Sequence, residues 1–196
     1  MPGPASLLRH GLRLEYATLA WNVVGAPVMI ASAVGAGSTA LAGFGLDSLI
    51  EIFASVVVVW QLGGHLDPSR ERRALRLIGA AFFALAAYVL GQSLWTLVGG
   101  HRPTPSPLGM AWLAMTVVAM ALLARSKLRV GRALDNAVLR TEAKVTLIDA
   151  ALAAAVLVGV ALNALWGWWP ADPLAGLVIV YYGAKEGRAA FRHAGG

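Results

Sequence analysis

The chain has no cysteine, which excludes disulfides and thiolate metal sites such as a zinc ribbon. Any metal it handles must be held through oxygen or imidazole. Charge is also scarce. Asp, Glu, Lys and Arg make up 13% of the residues, against about 25% in an ordinary soluble domain. Low-complexity tracts are absent, and so is a signal-peptide cleavage pattern ahead of a soluble remainder, so the first apolar segment is expected to stay as a helix. The net charge of +6 comes without a basic patch interleaved with aromatics, and no nucleic-acid partner is expected. What is present in quantity is apolar: 58% hydrophobic residues and a mean hydropathy of +0.68. That composition belongs to an integral, multi-pass membrane protein whose main partner is the lipid bilayer.

A membrane-spanning helix needs about 20 mainly apolar residues. Six segments qualify, roughly 14–34, 39–64, 74–99, 108–124, 143–165 and 173–188. Gly35, Gly37 and Ser38 make the first turn, and Pro103, Pro105 and Pro107 separate the third and fourth segments. Trp166, Trp168 and Trp169 form an interfacial aromatic belt before Pro170, and Tyr181 and Tyr182 are expected to anchor the sixth segment. Asp172-Pro173 reads as an N-cap followed by Pro at the first helical position. All but one of the 16 basic residues fall on one side of this topology, counting Arg125, Lys127, Arg129, Arg132, Arg140 and Lys144 in the loop after the fourth segment; Arg102 alone lies opposite. The positive-inside rule then places both termini in the cytoplasm. The expected fold is an all-α bundle of six transmembrane helices in the cytoplasmic (inner) membrane, one domain over residues 1–196. The few residues after Ala184 leave no room for a folded C-terminal cytoplasmic domain.

Three acids interrupt the apolar segments. Asp47 and Glu51, four residues apart, share one face of the second helix about 6 Å apart, and Asp149 lies in the fifth. Ionised groups at membrane depth are costly and normally line a cavity or ion path. Carboxylates bind hard divalent cations and also zinc, and protons compete for the same oxygens, which is the chemical basis of proton antiport. Glu15, Thr18 and Asn22 form an i, i+3, i+7 stripe on the first helix. Asp47 and Asp149 each sit on the middle helix of a three-helix half, the arrangement of inverted-repeat transporters, although no sequence repeat is visible. His65 and Asp67 fit a turn or helix start at Asp67-Pro68-Ser69, and His10, His101 and His193 are scattered.

The run Ser38-Thr-Ala-Leu-Ala-Gly-Phe-Gly-Leu-Asp47-Ser-Leu-Ile-Glu51-Ile-Phe-Ala-Ser55 resembles the second helix of the cation diffusion facilitator (cation efflux) family, with Asp47 and Glu51 on its two ligand positions. Asp149 matches the Asp of that family's His-x-x-x-Asp fifth helix, and Ala171-Asp172-Pro173-Leu174-Ala175 is similar to the Asp-Pro opening of its sixth. The resemblance extends over the six-helix membrane portion. It implies a transporter rather than an enzyme: proton-coupled efflux of zinc or another first-row divalent metal, with the metal as cargo and no permanently bound cofactor. An oxygen-only site also suits manganese, iron or cobalt. One departure is that Val145 stands where the family has His, so a ligand is replaced; Asn22, Glu142 and water are the candidates. The other is that no terminal domain is expected, which would leave a homodimer only membrane helices to form through, for instance the third helix's Gly79, Ala80, Ala84, Ala87 and Gly91. The alternative function is a non-transporting membrane subunit or metal-responsive regulator that keeps the transporter fold.

Overall fold

The computed structural model describes residues 4–62, 68–134 and 137–195. Six helices follow one another: α1 Pro4–Ala36, α2 Thr39–Leu62, α3 Pro68–Gly99, α4 Pro107–Ala133, α5 Ala137–Trp166 and α6 Ala171–Gly195. His65, Asp67 and the expected end of the second helix at Gly64 lie outside the described residues. Among the described residues, four helices contain spans long and apolar enough to cross a membrane, at Arg9–Ala36, Leu75–Gly99, Pro107–Ala133 and Ala143–Trp166.

Most helices overrun the segments that hydropathy marks. α1 begins ten residues before its expected start, and α4, expected to stop at 124, continues to Ala133, so that Arg125, Lys127, Arg129 and Arg132 are helical rather than loop residues. Hydropathy detects the slab of lipid, whereas the backbone ladder continues wherever its hydrogen bonds close. Local chemistry sets the true ends. Gly37, Gly100 and Gly167 follow α1, α3 and α5 directly, with φ of 62°, 64° and 67°, the left-handed conformation that terminates helices and that glycine adopts without steric cost. Behind Gly37, the Ser38 amide donates to the Ala33 carbonyl at 3.1 Å, and the Gly167 amide donates to Asn163 O at 2.9 Å. Ser106 caps α4 by accepting from the Gly109 amide, with Pro107 at the first helical position.

Asp172 does not serve as the cap of its own helix. It lies within the first turn of α6 and reaches across to α2, where its carboxylate accepts from the Thr39 amide at 3.0 Å and the Ala40 amide at 3.3 Å, and from the Ser38 hydroxyl. Ser38 Oγ in turn accepts from the Leu41 amide at 3.1 Å. The first three amides of α2, which have no partner within the helix, are thus satisfied by Ser38 and Asp172. A carboxylate suits the positive end of the α2 dipole. The same end of the bundle is stitched further by Thr104 N to Ala36 O at 2.8 Å and Asn163 Nδ2 to Pro103 O at 2.8 Å.

The interior mixes large apolar residues such as Met29, Leu41, Phe44, Val89, Leu113 and Ile179 with many small and polar ones, among them Ala26, Ala33, Ala40, Ala153, Ser48, Ser93, Thr96 and Thr116, while Val34, Leu94, Trp95, Val98, Leu122, Leu165 and Trp166 face outward. In lipid no hydrophobic force drives helices together, so close approach through small side chains and interhelical hydrogen bonds takes over. A Cβ on Gly43 would lie 2.9 Å from Ile179 Cδ1, and one on Gly159 would lie 2.7 Å from Ala171 O; these two positions let α2 and α5 meet α6. The central helix is α2, packed against α1, α3, α5 and α6, with α3 against α6 and α4 against α5 as flanking pairs. Gly79 is used inside, against α6, whereas Ala80, Ala84, Ala87 and Gly91 are exposed.

Candidate metal centre

Asp47, Asp149 and Asn22 are buried, and Glu51 is partly buried. They come from three helices. Asn22 on α1 donates from Nδ2 to Glu51 Oε2 on α2 at 2.5 Å, so the expected polar stripe of α1 does meet the second-helix acids. Glu15, at the foot of that stripe, pairs instead with Lys127. Thr18 is occupied within its own helix, its hydroxyl donating to Leu14 O at 3.1 Å.

Helix arithmetic gives the relative depth of these groups. Measured from the end where Asp172 sits and counted at about 1.5 Å per residue, Asp47 lies about 12 Å along α2, Glu51 about 18 Å along the same helix and Asn22 about 21 Å along α1. Asn22 and Glu51 are level, as their hydrogen bond requires. α5 extends beyond the start of α6, because Gly159, seven residues from the end of α5, packs on Ala171 and Ala175; Asp149 lies ten residues further along, about 15 Å from that contact. Among the described residues no three His, Asp or Glu side chains lie close enough together to hold one ion.

Val145, the position that would carry the family's His, is 43% exposed on the outer flank of α5, whereas its neighbour Thr146 is 1% exposed and faces inward. The inward surface of α5 therefore presents Thr146, Asp149 and Ala153 in succession, spaced three and four residues apart as one helix face requires. The Glu142 side chain lies outside the described residues.

Two charged residues escape a reading of the sequence. Glu186, on α6, is close enough to act on the Asp47 charge, together with Glu51. It stands between Lys185 and Arg188, in a run that resembles an ordinary basic helix end. Yet counting from Ala171 puts it about 22 Å from the Asp172 end, level with Asn22 and Glu51. Its side of α6 is fixed by Ile179, two turns earlier, which packs against Gly43 of α2. The second is Lys127. Counted among exposed loop cations on the sequence, it is fully buried, donating to Glu15 Oε2 on α1 at 2.9 Å and to Thr146 Oγ1 on α5 at 3.1 Å. A buried lysine requires such an acid, because an ammonium stripped of water and left unpaired is too costly to keep.

Comparison with known proteins adds to this geometry. No curated protein matches the chain significantly. A family model does, the cation efflux transmembrane domain, over residues 76–195. That stretch runs from α3 through α6 and includes Asp149, the Asp172-Pro173 opening and Glu186, while Asn22, Asp47 and Glu51 precede it. The match covers more than half of the chain, and a bundle with acids at its centre and apolar residues outside accords with it: the chain belongs to the cation efflux family, whose members are membrane transporters of metal cations.

Proposed function

We propose that this protein is a proton-coupled exporter of a divalent first-row metal, with zinc the first candidate and manganese, iron or cobalt the others. The observation that carries the reading is the burial of Asp47 and Asp149, with Glu51 held by Asn22, inside a bundle whose exterior is apolar. Lipid-embedded acids are retained where they line an ion path. In this reading Asp47, Glu51 and Asp149 bind the ion, and Asn22 orients Glu51 or contributes its amide oxygen in place of the missing His. Six spans with both termini in the cytoplasm follow from the basic residues at one end. A homodimer would form through membrane helices, with the exposed Ala80, Ala84, Ala87 and Gly91 of α3 as a candidate face.

Displacement of α5 relative to α2 would give the site two arrangements. One brings Asp149 up to Asp47 and Glu51 and collects three carboxylates. The opposite displacement separates them. Charge then sets the coupling: the empty acids repel one another and take up protons, and metal binding expels those protons. Alternating access would be the same displacement seen from the two sides of the membrane.

The assignment is tested with purified protein by calorimetric titration of Zn²⁺ and Mn²⁺ at several pH values. Affinity should rise with pH, with proton release on binding, and should be lost in Asp47→Asn and Asp149→Asn. Affinity independent of pH would count against the coupling. A second reading, a non-transporting regulator that keeps the fold, draws on the absence of an assembled three-acid group among the described residues. It is favoured if metal binds tightly but does not cross a membrane.

A further inference from the structure

Glu15, Lys127 and Thr146 occupy three different helices yet lie at one depth. Counted from the Asp172 end of α1, α4 and α5 at about 1.5 Å per residue, each is about 30 Å in. That is one turn beyond Asp149 toward the chain termini, with Thr146 three residues before Asp149 on the same inward face of α5. The Lys127 ammonium is fully buried and bridges Glu15 Oε2 at 2.9 Å and Thr146 Oγ1 at 3.1 Å. Nearer the Asp172 end, α1 and α4 are joined again where Trp21 stacks on Trp112 with ring centroids 4.9 Å apart and donates to Thr116 Oγ1 at 3.0 Å. Below that joint, toward the termini, Lys127 ties α1, α4 and α5 together at a single point.

We propose that the Lys127–Glu15–Thr146 contact is a latch across the termini side of the carboxylates, closed here and opened once per transport cycle to admit the cation to Asp149 and Glu51. This rests on the reading of those acids as the cation site. Three features suit a contact that opens. The Glu15 side chain is about one-third exposed, so its carboxylate can rehydrate when the ammonium leaves. Its other oxygen, Oε1, is buried without a hydrogen-bond partner, which makes the closed arrangement only partly satisfied. Glu15 also begins the α1 stripe that passes Thr18 and reaches Asn22 and Glu51, so parting α1 from α4 uncovers a polar track rather than an apolar wall. Lys127 and Glu15 are positioning residues in this scheme and need not touch the ion.

Because the chain has no cysteine, a single introduced thiol reports access without background. Thr18→Cys places it between the latch and the acids, and Gln92→Cys places a control thiol in the cavity at the Asp172 end that His101 and Arg102 also line. Full-length protein in membranes is labelled with an impermeant methanethiosulfonate, applied from the termini side for Thr18→Cys and from the opposite side for Gln92→Cys. Lys127→Met should speed labelling at position 18 by about fivefold or more and leave position 92 unchanged. The charge swap Glu15→Lys with Lys127→Glu should slow labelling again. If Lys127→Met does not accumulate, the neutral pair Glu15→Gln with Lys127→Met carries the same expectation. Unchanged labelling at position 18, or equal acceleration at both positions, overturns the latch. The assay requires no transport, so its outcome is separate from that of the metal-flux measurement.

Discussion

A carboxylate kept inside a lipid-facing bundle needs a neighbour that makes its charge tolerable, and the inward acids draw on different ones. Glu51 has Asn22, Asp172 has the start of α2, and Glu15 has Lys127. The burial of Asp47 and Asp149 was legible in the sequence, because an acid within an apolar run escapes lipid only by turning toward the bundle interior. Glu186 and Lys127 were not. Each sits among charges of the kind that end a membrane helix, and only the direction in which its helix turns it separates it from them. If Asn22 holds Glu51 in place for the ion, Asn22→Ala should weaken metal binding about tenfold, measured by calorimetry. An unchanged affinity would reduce Asn22 to an interhelical tie. Glu186→Gln should also lower affinity, but by less than Asp47→Asn, since Glu186 acts on Asp47 through charge across a helix interface.

Helices were the most readable elements, and their ends the least. Apolar runs marked all six helices, but the left-handed glycines at 37, 100 and 167 fix three ends that hydropathy only approximates, and α4 continues through basic residues that resemble a loop. The Asp-Pro pair at the start of α6 shows how a correct motif can carry an unexpected job. It reads as a cap for its own helix, yet the acid caps α2, a partner 133 residues away at Thr39, and no local pattern announces that distance. Asp172→Ala should therefore destabilise the bundle by about 2 kcal/mol, seen as a lower thermal midpoint in detergent, with Asp172→Asn losing less. Equal midpoints for the two variants and the parent would mean that water replaces the carboxylate.

At the scale of the molecule, family membership and an apolar exterior describe a metal-cation transporter, while orientation, coupling and cargo are matters of charge and displacement. Impermeant labelling of single thiols introduced near each terminus should report the cytoplasmic side for both, because the basic residues cluster at that end. Whether the inward acids carry a transport cycle is decided by flux. In proteoliposomes with an imposed pH gradient and external or internal Zn²⁺ or Mn²⁺, metal should move against a counterflow of protons, and Asp47→Ala or Asp149→Ala should abolish both fluxes together. Transport that persists in Asp47→Ala, or metal movement with no accompanying proton flux, would contradict an acid site shared by metal and protons.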